Sequence, residues 1–150
     1  MNAGLFDLTG KNALVTGGAQ GLGRMIAEGL LRAGATVAIT SRKADICEAA
    51  ASEMAALGKC IALPADLSTP EAAVDLAQRY RETVGGTLHV LVNNAGKTWG
   101  GTVDTFPDKA WPGVMMVNVQ TPFTLVRELL PELTAAGTPD DPARVINIGS

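Results

Sequence analysis

Cysteine, aromatic residues and excess charge are all scarce in this chain. Two cysteines in 150 residues cannot build a disulfide framework, and Cys47 and Cys60 have no metal-ligand spacing, so ordinary reduced thiols and no metal site are expected. Basic residues number 12 against 15 acidic ones and are dispersed, which gives no support to a nucleic-acid partner. No apolar run approaches the roughly 20 residues that cross a bilayer. The segment Met1-Asn2-Ala3-Gly4-Leu5-Phe6-Asp7 has neither the basic start nor the apolar core of a signal peptide. These absences point to a cytoplasmic protein with no membrane partner. At 150 residues, the chain has room for one domain with a packed core and not for two domains.

Glycine is what the chain has in quantity, and its placement is informative. Ala13-Leu14-Val15-Thr16 runs into Gly17-Gly18-Ala19-Gln20-Gly21-Leu22-Gly23, and an amphipathic pattern follows. Glycine admits positive φ and close approach of the backbone to a bulky anion. A helix starting near Gly21 would aim unpaired N–H groups and its positive end at the same point. A pyrophosphate fits that arrangement; a turn that merely packs helix on strand is the alternative. The spacing is not that of a nucleotide triphosphatase loop, because Arg24-Met25 stands where Lys and Ser or Thr are required. Nor is it the G-x-G-x-x-G fingerprint.

Strands and helices alternate along the rest of the chain. Strands are expected at 12–16, 36–40, 60–63, 88–92 and 144–148. Helices are expected at 22–33, with Leu22, Ile26, Leu30 and Ala33 on the core face, then at 43–57, 70–84 and 111–133. Gly34, Gly58 and Gly85-Gly86 close the first three helices. Ser68 or Thr69 caps the third ahead of Pro70, and Pro122 should bend the fourth. Residues 97–108 read as a loose surface segment. This order calls for an α/β fold, a doubly wound parallel sheet of Rossmann type with five strands. Ligands bind such sheets beyond the carboxyl ends of the strands. The glycine turn, Asp66 and the run Asn93-Asn94-Ala95-Gly96 all fall at that edge.

After strand two, where a carboxylate would mark NAD, the chain reads Ser41-Arg42-Lys43. The Arg42 fork can pair with a 2′-phosphate, which favours NADP(H); a solvated basic helix start is the alternative. Asp66 can accept from an adenine amino group or simply sit at a helix start. Asn93 and Asn94 can tie neighbouring strand ends together, while Ala95 and Gly96 leave room for a ring against the backbone. His89 stands at the wrong end of strand four to serve this edge and reads as structural. Trp99 and Trp111 flank the loose segment and either line a substrate cleft or pack in the core.

Taken in order, Thr16–Gly23, Asp66-Leu67, Asn93–Gly96, Asn118 in Met116-Val117-Asn118-Val119, and Arg144-Val145-Ile146-Asn147-Ile148-Gly149-Ser150 resemble the short-chain dehydrogenase/reductases over essentially the whole chain. The resemblance implies hydride transfer between NADP(H) and a carbonyl or alcohol substrate. Within the family the chain looks like 3-oxoacyl thioester reductases of the rhamnolipid-pathway type, with sugar or alcohol dehydrogenases and a non-catalytic NADP(H)-binding module as alternatives. By the resemblance, Gly17, Gln20, Gly21, Leu22, Gly23, Ser41, Arg42, Asp66, Leu67 and Asn93 to Gly96 form the cofactor site. Asn118 holds a water of a proton relay at a helix bend, and Ser150 hydrogen-bonds the substrate oxygen. The full protein would be a homodimer or homotetramer. The family's proton donor is a Tyr in Y-x-x-x-K, which residues 1–150 do not contain; Tyr80 is followed by Arg81-Glu82-Thr83-Val84. The expectation is an incomplete dinucleotide-binding domain, ending after strand five and leaving Val145, Ile146 and Ile148 on an open edge.

Overall fold

The structure is a computed structural model that describes residues 4–149. Five parallel strands, β1 (Asn12–Val15), β2 (Thr36–Ile39), β3 (Cys60–Ala62), β4 (Val90–Asn93) and β5 (Arg144–Asn147), lie in the order β3-β2-β1-β4-β5. Chain order runs outward from β1 on one side and resumes at β4 on the other. The strand order therefore reverses between β1 and β4, where a crevice opens at the carboxyl edge. Register there is set by Val15 opposite both Ile39 and Val92, and by Asn93 opposite Asn147.

Strand alternation sends side chains into two cores. Ala13, Val15, Val37, Ile39, Val90 and Val92 meet α1 (Gly21–Arg32) and α2 (Ala44–Met54) through Ala27, Leu31, Cys47 and Met54. Leu14, Ala38 and Leu91 point the other way, onto Leu76 and Tyr80 of α3 (Pro70–Thr83) and onto Leu125 and Leu129. Having helices on both faces explains why the central strands are apolar runs rather than alternating ones. Thr69 caps α3, its hydroxyl accepting from the Ala72 N–H at 3.3 Å, with Pro70 at the first helical position.

The core face of α1 matches the expected one in part: Ile26 and Leu30 pack half-buried against the core, but the fully buried positions are others. Gly23, Ala27 and Leu31 are buried, whereas Leu22 is 53% exposed. The helix lies so close to the glycine turn that its smallest residues face inward: a Cβ on Gly23 would stand 2.2 Å from the Gly17 carbonyl oxygen. Strand β4 also starts later than expected and continues to Asn93. Leu88 and His89 precede it, and their N–H groups donate to Glu132 and Asn12 carbonyls.

The expected single helix at 111–133 is broken twice. It comprises α4 (Trp111–Met115), a π-helical turn (Met116–Gln120), α5 (Thr121–Glu128) and α6 (Leu130–Ala136). In the π turn the Thr121 N–H donates to the carbonyl of Met116, five residues back. Pro122 has no N–H to give the Asn118 carbonyl, so the α-pattern cannot close there. Pro131 stands in the first turn of α6, next to a break at Leu129. Residues 97–107 carry no helix or strand before a single 3-10 turn at Asp108–Ala110. On β5, Val145 and Ile146 are 40% and 44% exposed, an open apolar edge among the described residues.

Candidate functional site

Three strand exits are fastened together around the glycine turn. The buried Thr16 hydroxyl accepts from the N–H groups of Asn94 (3.0 Å) and Ala95 (2.9 Å), and lies 3.4 Å from the Val92 carbonyl. The Asn94 side-chain amide donates back to the carbonyls of Thr16 (3.1 Å) and Gly17 (3.3 Å). On the β2 side, Thr40 accepts from the N–H of Gly17 through its hydroxyl and from that of Gly18 through its carbonyl. These bonds leave the turn no slack. Sequence reasoning passed over Thr16 and Thr40, although a hydroxyl at the last position of two adjacent strands, each followed by a small-residue turn, is a signal for such stapling.

The turn itself is shaped by two different uses of glycine. Gly17 and Gly21 have φ of 64° and 54°, a conformation that side chains disfavour. Gly23 is helical, and its missing Cβ is required by the Gly17 carbonyl and the Asn94 amide. The N-cap of α1 is Gln20, whose side chain makes no capping bond, and no acid stands in the first turn. The first N–H groups of α1 are thus left for an external acceptor, with the helix dipole favouring an anion.

A cavity of about 780 Å³ opens in front of this helix end. Gly17, Gln20, Ser41, Arg42, Asp66, Leu67, Asn94, Ala95 and Gly96 all line it. Arg42 is exposed and forms no ion pair among the described residues, while Asp66 sits exposed at the exit of β3. Gly21, Leu22 and Gly23 do not line the cavity, which meets this helix end at its N-cap, Gln20. Asp45, in the first turn of α2, does not reach it either.

A second cavity, of about 750 Å³, continues past Asn94–Thr98 toward β5. It is lined by the amides of Asn93, Asn118 and Asn147 and by apolar residues including Phe123, Val126 and Ile148. The Asn118 side chain pairs with the Lys97 backbone in both directions, accepting from its N–H at 2.8 Å and donating to its carbonyl at 2.9 Å. Asn118 sits in the π turn, where Pro122 withholds the ordinary donor from its carbonyl. The Asn93 amide donates to Asn147 Oδ1 at 2.9 Å, and its own oxygen is buried without a partner among the described residues. Ser150 lies outside the described residues. Trp99 and Trp111 line neither cavity and are 44% and 54% exposed.

The remaining titratable side chains of interest are engaged elsewhere. Tyr80 is fully buried and its hydroxyl donates to the Thr87 carbonyl at 2.9 Å; burial drives its pKa far above the ordinary range. His89 accepts at Nδ1 from the Asn12 N–H at 3.0 Å, at the amino edge of the sheet. Burial pushes the Cys60 thiol up to about 11 and raises that of Cys47 as well, so both are inert at neutral pH.

Residues 11–150 match the model of the short chain dehydrogenase family. The chain belongs to that family. Among its relatives is the rhamnolipids biosynthesis 3-oxoacyl-[acyl-carrier-protein] reductase of Pseudomonas aeruginosa, 48% identical over 145 residues, which cover 97% of this chain and 56% of the relative. A solved structure of Pseudomonas aeruginosa RhlG in an NADP active-site complex superposes with a TM-score of 0.93 at 48% identity, over 97% of this chain and 56% of that one. The 3-oxoacyl (acyl-carrier-protein) reductase of Agrobacterium tumefaciens with NADP bound gives a TM-score of 0.87 at 31% identity, over 100% and 56%. This short-chain dehydrogenase thus spans about half the length of the relatives it matches.

Proposed function

We propose that the protein is an NADP(H)-dependent oxidoreductase that transfers hydride to the carbonyl of a 3-oxoacyl thioester. The observation that carries this reading is the uncapped N-terminus of α1 opening onto a cavity rimmed by Arg42. The N–H groups of α1 and the backbone of Gly17 would bind a pyrophosphate. Arg42 would pair bidentately with a 2′-phosphate, with Ser41 beside it, and Asp66 with the Leu67 backbone would hold the adenine. Asn93 to Gly96 would help frame the adenine and the nearby ribose. When bound, NADPH supplies the hydride. NADP-bound relatives of the same fold support the choice of cofactor.

On this reading the second cavity would receive the carbonyl. Ser150 would donate to the substrate oxygen, polarising it as negative charge develops. Asn118, its side chain committed to the Lys97 backbone, would use its carbonyl to hold a water of a proton relay. The proton donor is absent from residues 1–150, where the one tyrosine is buried on α3. Residues 1–150 alone are therefore expected to bind NADPH without turning over.

The reading extends to assembly. Trp111, Met115, Val119 and Phe123 recur every four residues across α4, the π turn and α5, and all are 46% to 65% exposed. Such a stripe suits burial against a second copy, giving a homodimer or homotetramer. No helix among the described residues is long and apolar enough to cross a membrane.

The test is NADPH oxidation by the full-length protein, offered 3-oxoacyl thioesters, sugar ketones and simple ketones. Preference for the thioester is expected. Turnover only with sugar ketones would move the protein to the polyol branch, and no turnover with any would leave a binding module.

A further inference from the structure

Lys97 is the only charged residue lining the second cavity among the described residues, and it also lines the first. It forms no ion pair and no side-chain hydrogen bond among those residues. Its backbone is fixed by the Asn118 amide, and its ammonium end lies close to Gly113 in α4: a Cβ there would stand 2.8 Å from Nζ and 3.5 Å from Cε. Any larger residue at 113 would displace the ammonium. Ordering a lysine side chain costs up to about 2 kcal/mol of rotamer freedom, and no carboxylate in the described structure offsets that cost. A cation without a counterion among the described residues, at the seam of two cavities and the one charge lining the second, is placed to receive an anion from a ligand.

We propose that Lys97 determines substrate specificity by taking an oxyanion, carboxylate or phosphate, of the carbonyl substrate at the seam between the two cavities. The proposal rests on the oxidoreductase part of that reading and not on the thioester, whose acyl carboxylate is masked, and it narrows the ligand to carbonyl compounds that carry a negative charge. The carbonyl lies toward Asn118 and Gly149, the apolar part against Val126 and Ile148, and the anion on the Lys97 ammonium.

The experiment uses the full-length protein loaded with NADP+, which has no hydride to give, so that binding is measured without turnover. 3-Oxobutanoate and its uncharged ethyl ester are titrated calorimetrically into wild type, Lys97→Met and Lys97→Arg, with NADP+ affinity measured separately for each. Lys97→Met keeps the stem and should weaken 3-oxobutanoate about tenfold or more, the scale of one charge-assisted hydrogen bond. The ester should bind unchanged, which also reports an intact fold, and Lys97→Arg should restore the anion. Equal losses for anion and ester, or no loss for the anion, overturn the proposal. So does a loss of NADP+ affinity with both ketones unaffected, which assigns the ammonium to the cofactor. Failure of wild type to bind NADP+ at all overturns the oxidoreductase reading instead.

Discussion

Replacing Gly23 with alanine is the sharpest structural test of the glycine turn. In an exposed helix interior, Gly→Ala stabilises by about 0.5–1 kcal/mol. At Gly23 the added Cβ would meet the Gly17 carbonyl oxygen at 2.2 Å and the Asn94 amide nitrogen at 2.4 Å. Neither is the free end of a flexible side chain, since the first is backbone and the second is held by two hydrogen bonds. Restoring a tolerable contact requires α1 to retreat by ~0.8 Å or more from a turn that Thr16 and Thr40 fasten to two strands. Overpacking of this kind costs about 1–3 kcal/mol, so the sign of the ordinary substitution reverses. Gly29 supplies the control: it lies in the same helix, and a Cβ there meets nothing within 4 Å. Urea unfolding of wild type, Gly23→Ala and Gly29→Ala should rank the first variant below wild type and the second at or above it. NADPH affinity should fall only in Gly23→Ala. A Gly23→Ala protein as stable as Gly29→Ala would refute the reasoning.

Arg42→Asp should weaken NADPH at least about tenfold while leaving NADH less affected; equal losses in fluorescence titrations would remove Arg42 from cofactor selection. Asn94→Asp replaces the donor to the Thr16 and Gly17 carbonyls with an acceptor facing acceptors, and should cost about 1–3 kcal/mol in chemical denaturation. His89 is held below its ordinary pKa of 6.5 by burial and by the charge of Lys11. The unfolded chain therefore takes up a proton before the folded one does. The stability that neutral His89 contributes is present above pH 6.5 and is lost as pH falls through the window below it. Denaturation at pH 7.5 and at pH 5.5 should show less of this loss in His89→Gln than in wild type. Phe123→Arg, on the exposed stripe, should shift the full-length protein toward monomer in sedimentation; an unchanged mass would place the interface elsewhere.

The sheet was legible because strand and helix periods alternate cleanly and a glycine follows each of the first three helices. The parallel order followed from that alternation, and the clustering of the glycine turn, Asp66 and Asn93–Gly96 followed from the order. What the periodicity missed was governed by close packing and by backbone bonding. Leu22 looked like a core residue because it is large, but the space under α1 admits only Gly23, and no hydrophobic pattern records a missing Cβ. Residues 111–133 read as one helix because local propensity does not show a π turn; Pro122 marked the bend without giving its type. Thr16 and Thr40 were hidden because a threonine that fastens strands looks like one that ends them. Lys97 carried no signal at all in one dimension, since its position depends on Asn118 and Gly113, which lie 21 and 16 residues away in the chain.

The account rests on the cavity between α1 and Arg42 being a site for a 2′-phosphorylated dinucleotide. Titrating NADPH and NADH into the protein, followed by nicotinamide fluorescence, tests this most directly. The account predicts saturable binding of NADPH at least about tenfold tighter than that of NADH. Binding of neither, or tighter binding of NADH, would contradict it.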